Sequence, residues 1–160
     1  MRYDVLDGGP QLLTVIVADD DSVIAAGFTE PADLAEHAGI TASLSKARID
    51  WLRQLWTEYL SGDISAIDRV DVRQQGSPVQ DAVWSTLREV PPGKPLSYSQ
   101  LAQEIGKPKA ARAVGSACGA NRIAPFVPCH RVIAADGSLG GYGYGLAVKE
   151  WLLAHEEVNE

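Results

Sequence analysis

The chain is poor in cysteine, has no long apolar run and contains no repeat. Its only cysteines are Cys118 and Cys129, with no CxxC pair, and its three histidines, His37, His130 and His155, lack zinc-ligand spacing. No metal site is expected. A disulfide across the eleven residues separating the two thiols is geometrically open, but without a signal peptide both are expected to stay reduced. The longest apolar runs, such as Leu12 to Ala18 with Thr14 inside, fall far below the roughly 20 residues of a membrane span. Met1-Arg2-Tyr3-Asp4 lacks the apolar core of a signal peptide. These absences predict a soluble, cytoplasmic protein. No low-complexity tract appears.

What is present is ordinary globular composition. Hydrophobic residues make up 46% of the 160 and charged residues 22%, which argues against disorder. The length allows one comfortable domain or two small ones. The formal net charge is −7 and unevenly spread. Residues 1–80 hold 6 basic and 13 acidic side chains, whereas residues 81–160 hold 8 of each. Within the second half, Lys94, Lys107, Lys109, Arg112, Arg122 and Arg131 face Glu104 alone between 94 and 135, a local balance of +5. Nucleic-acid binding needs such local potential and tolerates overall acidity. On charge alone a solvated surface is the simpler reading.

Residues 1–30 read as strands. Leu12 to Val17 is apolar and β-branched, Ala18 to Ser22 is a turn, and Val23 to Phe28 continues a hairpin or meander. Pro31 to His37 fits one or two helical turns. Ser45 to Leu60 reads as an amphipathic helix, with Ile49, Leu52, Leu55, Trp56, Tyr59 and Leu60 at helical spacing and Ser61-Gly62 as its end. Residues 61–76 are polar and read as a linker carrying one extended segment, so a boundary is placed there: an α/β domain over 1–73 and a second domain over 74–160. Ser77-Pro78 starts a helix striped by Val79, Val83, Trp84, Leu87 and Val90. Ser97 to Ile105 and Lys109 to Gly119 are two more helices joined by Gly106-Lys107-Pro108, a pattern that predicts helix-turn-helix.

The last of these helices is almost without bulk. Ala110, Ala111, Ala113, Gly115, Ser116, Ala117 and Gly119 surround one long cation, Arg112. So slim a helix can lie close to a neighbouring helix or to a nucleic-acid groove. Its arginine can stack in a base column or contact phosphate.

Val127-Pro128-Cys129-His130-Arg131-Val132-Ile133 carries the chemistry. A thiolate is the nucleophilic form of cysteine, and an imidazole and a guanidinium just downstream lower its cost. On a strand, adjacent side chains point to opposite faces, so Cys129 and His130 are expected to communicate through a bridging water or a bent backbone. Cys118, in its Ala/Gly-rich segment, reads as a small buried residue and is expected to be inert.

Pro128-Cys129-His130-Arg131-Val132 resembles the active-site motif of the O6-alkylguanine-DNA alkyltransferases. The resemblance spans about residues 76–156. It includes Tyr98 in Leu-Ser-Tyr-Ser-Gln-Leu-Ala, Arg112 in Lys-Ala-Ala-Arg-Ala-Val-Gly, Asn121 eight residues before the cysteine, Tyr142 in Gly-Gly-Tyr-Gly, and the ending from Leu146 to Glu156. The N-terminal part is similar only in length and in strand-then-helix order.

That resemblance implies an α/β (α+β) protein. A small ribonuclease-H-like domain would precede a mostly helical, winged-helix-like catalytic domain with helix-turn-helix. It implies DNA repair by transfer of an alkyl group from guanine O6, less readily thymine O4, onto Cys129. His130 would take the thiol proton through a water, and Glu156 would orient and charge-stabilise the imidazole. Asn121 would hold the turn before the active-site strand and polarise the thiolate. Tyr98 would donate toward guanine N3 and help rotate the nucleotide. Arg112 would fill the vacated stack, with Ser99, Ala110, Ala111 and Gly115 on the DNA-binding surface. The helix would enter the minor groove, unlike the usual helix-turn-helix. Val132, Tyr142, Gly143 and Tyr144 would line the base pocket. Extrusion of the base is required, because a nucleophile cannot reach the alkyl carbon in line within a stacked pair. The thioether product has no water-labile bond, so single turnover is expected, with no cofactor and with a monomer acting on double-stranded DNA.

Three departures from the family pattern carry expectations. Arg122 stands where proline is frequent, with Pro125 nearer the cysteine, so one pocket wall is expected to differ. Tyr144 stands where glycine is frequent, so large adducts such as benzyl are disfavoured. The zinc-holding N-terminal cysteines and histidines of some members, and the cysteine-rich regulatory domain of Ada-type fusions, are absent, so neither metal nor transcriptional control is expected. Two other classes stand beside this reading: a lesion binder without chemistry, which would replace the reactive cysteine, and a cysteine hydrolase, which would need an oxyanion hole and a turnover route.

Overall fold

The computed structural model describes residues 1–160 as a mixed α/β chain in two compact units. The first comprises Met1–Gln74 and Arg122–Phe126, and the second Gln75–Asn121 and Val127–Glu160. The main boundary falls between Gln74 and Gln75. The division expected from sequence alone, a single cut after residue 73, does not provide for the five residues that return to the first unit.

In the first unit, β1 (Arg2–Leu6), β2 (Leu13–Val17) and β3 (Val23–Gly27) form an antiparallel meander. All five residues of β2 are buried, as the continuous β-branched run requires of a central strand. α1 (Pro31–His37) sets Leu34 against Ile16 and Ala25. The sheet order is β3-β2-β1-β4, with β4 (Ser45–Lys46) parallel to β1. The helix expected from Ser45 therefore starts later, as α2 (Asp50–Leu60). The backbone of 45–49 is spent on sheet pairing: Ser45 N donates to Met1 O at 3.2 Å and Ala47 N to Tyr3 O at 2.9 Å. Buried Asp4 then fixes the helix start. Its carboxylate accepts from Ile49 N at 3.0 Å and from Arg53 Nε and Nη2, each at 2.7 Å. Burial pushes the Asp4 carboxyl up, but these donors outweigh it and hold it below the usual carboxylate range. A 3₁₀ turn, Ala66–Arg69, and a parallel bridge from Val72 to Val23 follow.

Arg122–Phe126 adds to the same sheet. Ala26 N donates to Arg122 O at 2.9 Å, Ala124 N to Ala26 O at 3.1 Å, and Arg122 N to Gln74 Oε1 at 3.1 Å. Ile123, Ala124 and Phe126 are buried.

The second unit is mostly helical: α3 (Pro78–Leu87), α4 (Tyr98–Glu104), α5 (Ala111–Ala120) and α6 (Leu146–Val158). A two-strand parallel sheet pairs β5 (Leu96–Ser97) with β6 (Val132–Ile133). Ser77 with Gln80, and Ser97 with Gln100, form reciprocal capping boxes, each satisfying two otherwise orphaned donors. Gly106 adopts φ +74° after α4. α5 begins two residues later than expected, because Lys107 to Ala110 close a turn of their own, with Ala110 N donating to Lys107 O at 2.9 Å. Trp84 Nε1 donates to Ala117 O at 2.9 Å and ties α3 to α5. No helix is long and apolar enough to cross a membrane.

Candidate active site

Every residue of the candidate site belongs to the second unit. Cys129 does not lie on a strand. Cys129–Arg131 is a single 3₁₀ turn and β6 begins only at Val132. Arg131 N donates to Pro128 O at 3.0 Å and Cys129 N to Val127 O at 2.9 Å. Pro128, with no N–H and a fixed φ, favours this bend over continued pairing. The opposite-face constraint on Cys129 and His130 is thereby removed.

Asn121 caps the C-terminus of α5. Its Nδ2 donates to Val127 O at 2.8 Å and to Cys129 Sγ at 3.3 Å. Cys129 is 8% exposed. Burial pushes its thiol up, while the Asn121 amide and the Lys149 ammonium pull it back.

Beside it is a fully buried charge network. His130 Nε2 lies 2.9 Å from Glu156 Oε2. Arg131 grips the same carboxylate with both arms, Nε to Oε1 at 2.9 Å and Nη2 to Oε2 at 3.1 Å, and its Nη1 donates to Val90 O at 3.0 Å. Burial alone would raise Glu156. The His130 and Arg131 partners reverse that and hold its carboxyl down at about 2. An ionised Glu156 assigns the ring proton to Nε2. The buried Nδ1, which has no hydrogen-bond partner in the protein, is left as the acceptor. An imidazole held in this way is an oriented base, next in sequence to the Cys129 thiol.

Tyr98 opens α4 and is half-buried. Gly140, at φ +71°, lies over it, and a Cβ there would come within 2.8 Å of the phenol oxygen, so only glycine fits. Burial, and after it Cys118, raise the phenol against a hydrogen bond from the Gly141 backbone. Tyr142 and Tyr144 meet edge to face at 5.6 Å. The Tyr144 phenol is pushed up to about 12 by burial and by Cys129.

The remaining expected residues lie elsewhere in the unit. Arg112 is exposed on α5 together with Ala113, Ser116 and Gly119. Ala110, Ala111 and Gly115 are half-buried, with Gly115 against the Tyr98 ring, and Ser99 and Gly143 are exposed. Val132 is fully buried and contributes its carbonyl, which accepts from Lys149 Nζ at 2.6 Å. Sequence reasoning missed Lys149 and gave Arg131 no partner. The available signal was in α6, where Lys149 and Glu156 share the buried face with Val148 and Leu152. No group of three or more His, Cys, Asp or Glu side chains is gathered as a metal would need.

A family profile described as "6-O-methylguanine DNA methyltransferase, DNA binding domain" matches residues 78–158. The chain belongs to this family. Within the methylguanine methyltransferase family, it is 50% identical over 99 residues to the methylated-DNA–protein-cysteine methyltransferase of Shigella flexneri, a match covering 62% of this chain and 58% of that relative. It is 36% identical over 149 residues to the bifunctional transcriptional activator/DNA repair enzyme Ada of Escherichia coli K12, covering 93% of this chain and 40% of that one. The crystal structure of Mycobacterium tuberculosis OGT in complex with DNA superposes with a TM-score of 0.83 at 31% identity, covering 99% of this chain and 94% of that one.

Proposed function

We propose that the protein repairs DNA by direct, stoichiometric transfer of an alkyl group, methyl foremost, from guanine O6 to Cys129. The observation that carries this is the placement of Cys129 Sγ against the Asn121 amide, beside a buried His130 whose Nε2 is held by Glu156 and whose Nδ1 is left to accept a proton. The names of the relatives support the same chemistry.

In this reading His130 takes the thiol proton through a water and the sulfur attacks the alkyl carbon in line. The C–O6 bond breaks and the base departs as guanine, its negative charge eased by the Tyr98 hydroxyl. The exposed, slim face of α5 approaches the minor groove, and Arg112 occupies the stack left by the extruded base. Tyr142, Gly143 and Tyr144, on the loop before α6, border the pocket. The thioether is not hydrolysed, so each molecule acts once, as a monomer and with no cofactor.

Intact-protein mass after incubation with duplex DNA carrying one O6-methylguanine tests the reading. A gain of about one methylene mass, absent in Cys129→Ala, is the expected result. Tight, lesion-selective binding without a mass gain would replace transfer by lesion recognition. Repeated product release would indicate hydrolysis.

A further inference from the structure

The outer face of α6 carries two carboxylates that nothing in the protein answers. Glu150 and Glu157 are exposed, and neither side chain has an ion-pair or hydrogen-bond partner. Glu156, one residue away, is by contrast buried and bound by His130 and Arg131. Seven residues, two helical turns, separate Glu150 from Glu157, which sets them on one face about 10 Å apart. Leu153 and Ala154 cover the helix surface between them. That surface is one wall of an open groove of about 430 Å³ within the second unit. Its other walls include Pro95 just before β5, Ile133 at the end of β6, and Leu139. Ile133, Leu139 and Leu153 are half-buried, so the floor is apolar while the rim is acidic. Glu160 adds to the rim: it lies over Gly93, another lining residue, where a Cβ would come within 2.9 Å of its Oε2.

The walls are fixed in advance. The turn leading into Leu139 is closed by Ala134 N donating to Ser138 O and Gly137 N to Ala134 O, each at 3.0 Å. Val148 and Leu152 anchor α6 from its buried side.

We propose that this groove docks an extended segment of a partner protein that presents an apolar side chain between two arginines or lysines. The apolar side chain seats on Ile133, Leu139 and Leu153, and the flanking cations reach Glu150 and Glu157. Charge complementarity selects this occupant. An acidic rim repels the phosphates of nucleic acid and of anionic lipid. A small molecule in an open groove would keep much of its surface in water, whereas ligand sites enclose theirs. A chain segment has to bury only the side chain that faces inward. The groove shares no lining residue with the Cys129 site, so the proposal stands apart from the alkyl-transfer reading.

The test uses the full-length protein and a capped peptide, acetyl-Gly-Arg-Leu-Phe-Arg-Gly-amide, whose two arginines are about 10 Å apart when extended. Binding is followed at low salt by amide NMR shifts. Shifts are expected at Ile133, Leu139 and the Glu150–Glu157 stretch, and are expected to weaken with added salt. The Glu150→Gln/Glu157→Gln protein is expected to bind about tenfold more weakly, as two exposed ion pairs allow. The same peptide with citrulline for arginine should lose a similar factor on the wild type and little more on the double variant, because the removed interaction is then the same one. Glu104→Gln, an acidic change on α4, is expected to leave binding unchanged, and methyl transfer is expected to be unchanged in the double variant. No shifts at millimolar peptide, equal binding of the citrulline peptide, or displacement of the peptide by unmodified duplex DNA overturns the proposal. Concentration-dependent self-association of the wild type that the double variant loses, seen by sedimentation, would make the occupant a second copy and overturn it as well.

Discussion

The Asn121 side-chain amide donates to the Val127 carbonyl at 2.8 Å, and these two residues flank the five-residue segment by which the chain leaves the second unit and returns to it. One hydrogen bond thus closes the excursion and, through the same Nδ2, reaches the Cys129 sulfur at 3.3 Å. Asn121→Ala removes both contacts and leaves a carbonyl in a buried turn unpaired. The expected cost is about 1–3 kcal/mol of stability, with slower alkylation of Cys129. Denaturant unfolding and the single-turnover rate measure the two effects separately. A variant that loses neither would show the amide to be dispensable.

The second prediction concerns acid. The Glu156 carboxyl sits at about 2 in the folded protein against an ordinary 4.5. A depressed carboxylate contributes stability that is fully present above its unfolded value and is lost as pH falls through the folded one. Wild-type stability is therefore expected to decline from about pH 4.5 to about pH 2. Glu156→Gln is expected to be less stable at pH 7 by roughly 3 kcal/mol, because Arg131 is left buried without its anion. Its stability should change less across the acid window. Thermal melts of both proteins between pH 2 and 7 provide the comparison, and parallel curves would contradict the assignment.

Tyr144 bears on lesion size. Its half-buried ring stands edge to face with Tyr142, and burial together with Cys129 pushes its phenol up. Methyl transfer is expected to be much faster than benzyl transfer, and Tyr144→Gly is expected to narrow that gap by about tenfold or more, since a removed ring opens room that a small adduct does not need. Rates for the two adducts in the same duplex sequence settle the matter. Equal methyl and benzyl rates in the wild type would sink it.

Arg112 is the fourth case. In the proposed reading Arg112, exposed on the slim face of α5, stacks in the opened duplex and so helps only when a duplex has to be opened. Arg112→Ala is expected to slow repair of duplex O6-methylguanine about tenfold to a hundredfold, in line with the roughly 1–3 kcal/mol of a stacked base. Repair of a short single-stranded O6-methylguanine oligonucleotide should be nearly unaffected. An equal loss on both substrates would place Arg112 in the chemistry instead.

Much of the site was legible because its signals are short-range. Ser77-Pro78 with Gln80, and Ser97 with Gln100, each satisfy helix N-termini within four residues, so the starts of α3 and α4 follow from local hydrogen-bond needs. The Pro128-Cys129-His130-Arg131 run and Glu156 singled out side chains that the structure brings together, since His130 and Arg131 both bind Glu156. The start of α2 was not legible. Ser45 to Ile49 leads without a break into the helical spacing that starts at Ile49, yet its backbone donors are claimed by Met1, Tyr3 and Asp4 at the start of the chain. A helix propensity of tenths of a kcal/mol per residue yields to such pairing.

By itself the sequence determined the chemistry that is available: one thiol next to an imidazole, a carboxylate 26 residues on, a slim helix with one arginine, and helices that begin where capping residues stand. These depend on residue identity and on contacts a few positions apart. Only the tertiary structure decided that Cys129 sits in a turn and not on a strand, that Arg122–Phe126 returns to the sheet of the first unit, that Glu156 answers to Arg131 as well as His130, and that Lys149 is buried without an anion. Each of these depends on which distant groups remain to satisfy a buried charge or backbone donor, and that accounting closes only when the whole unit is packed.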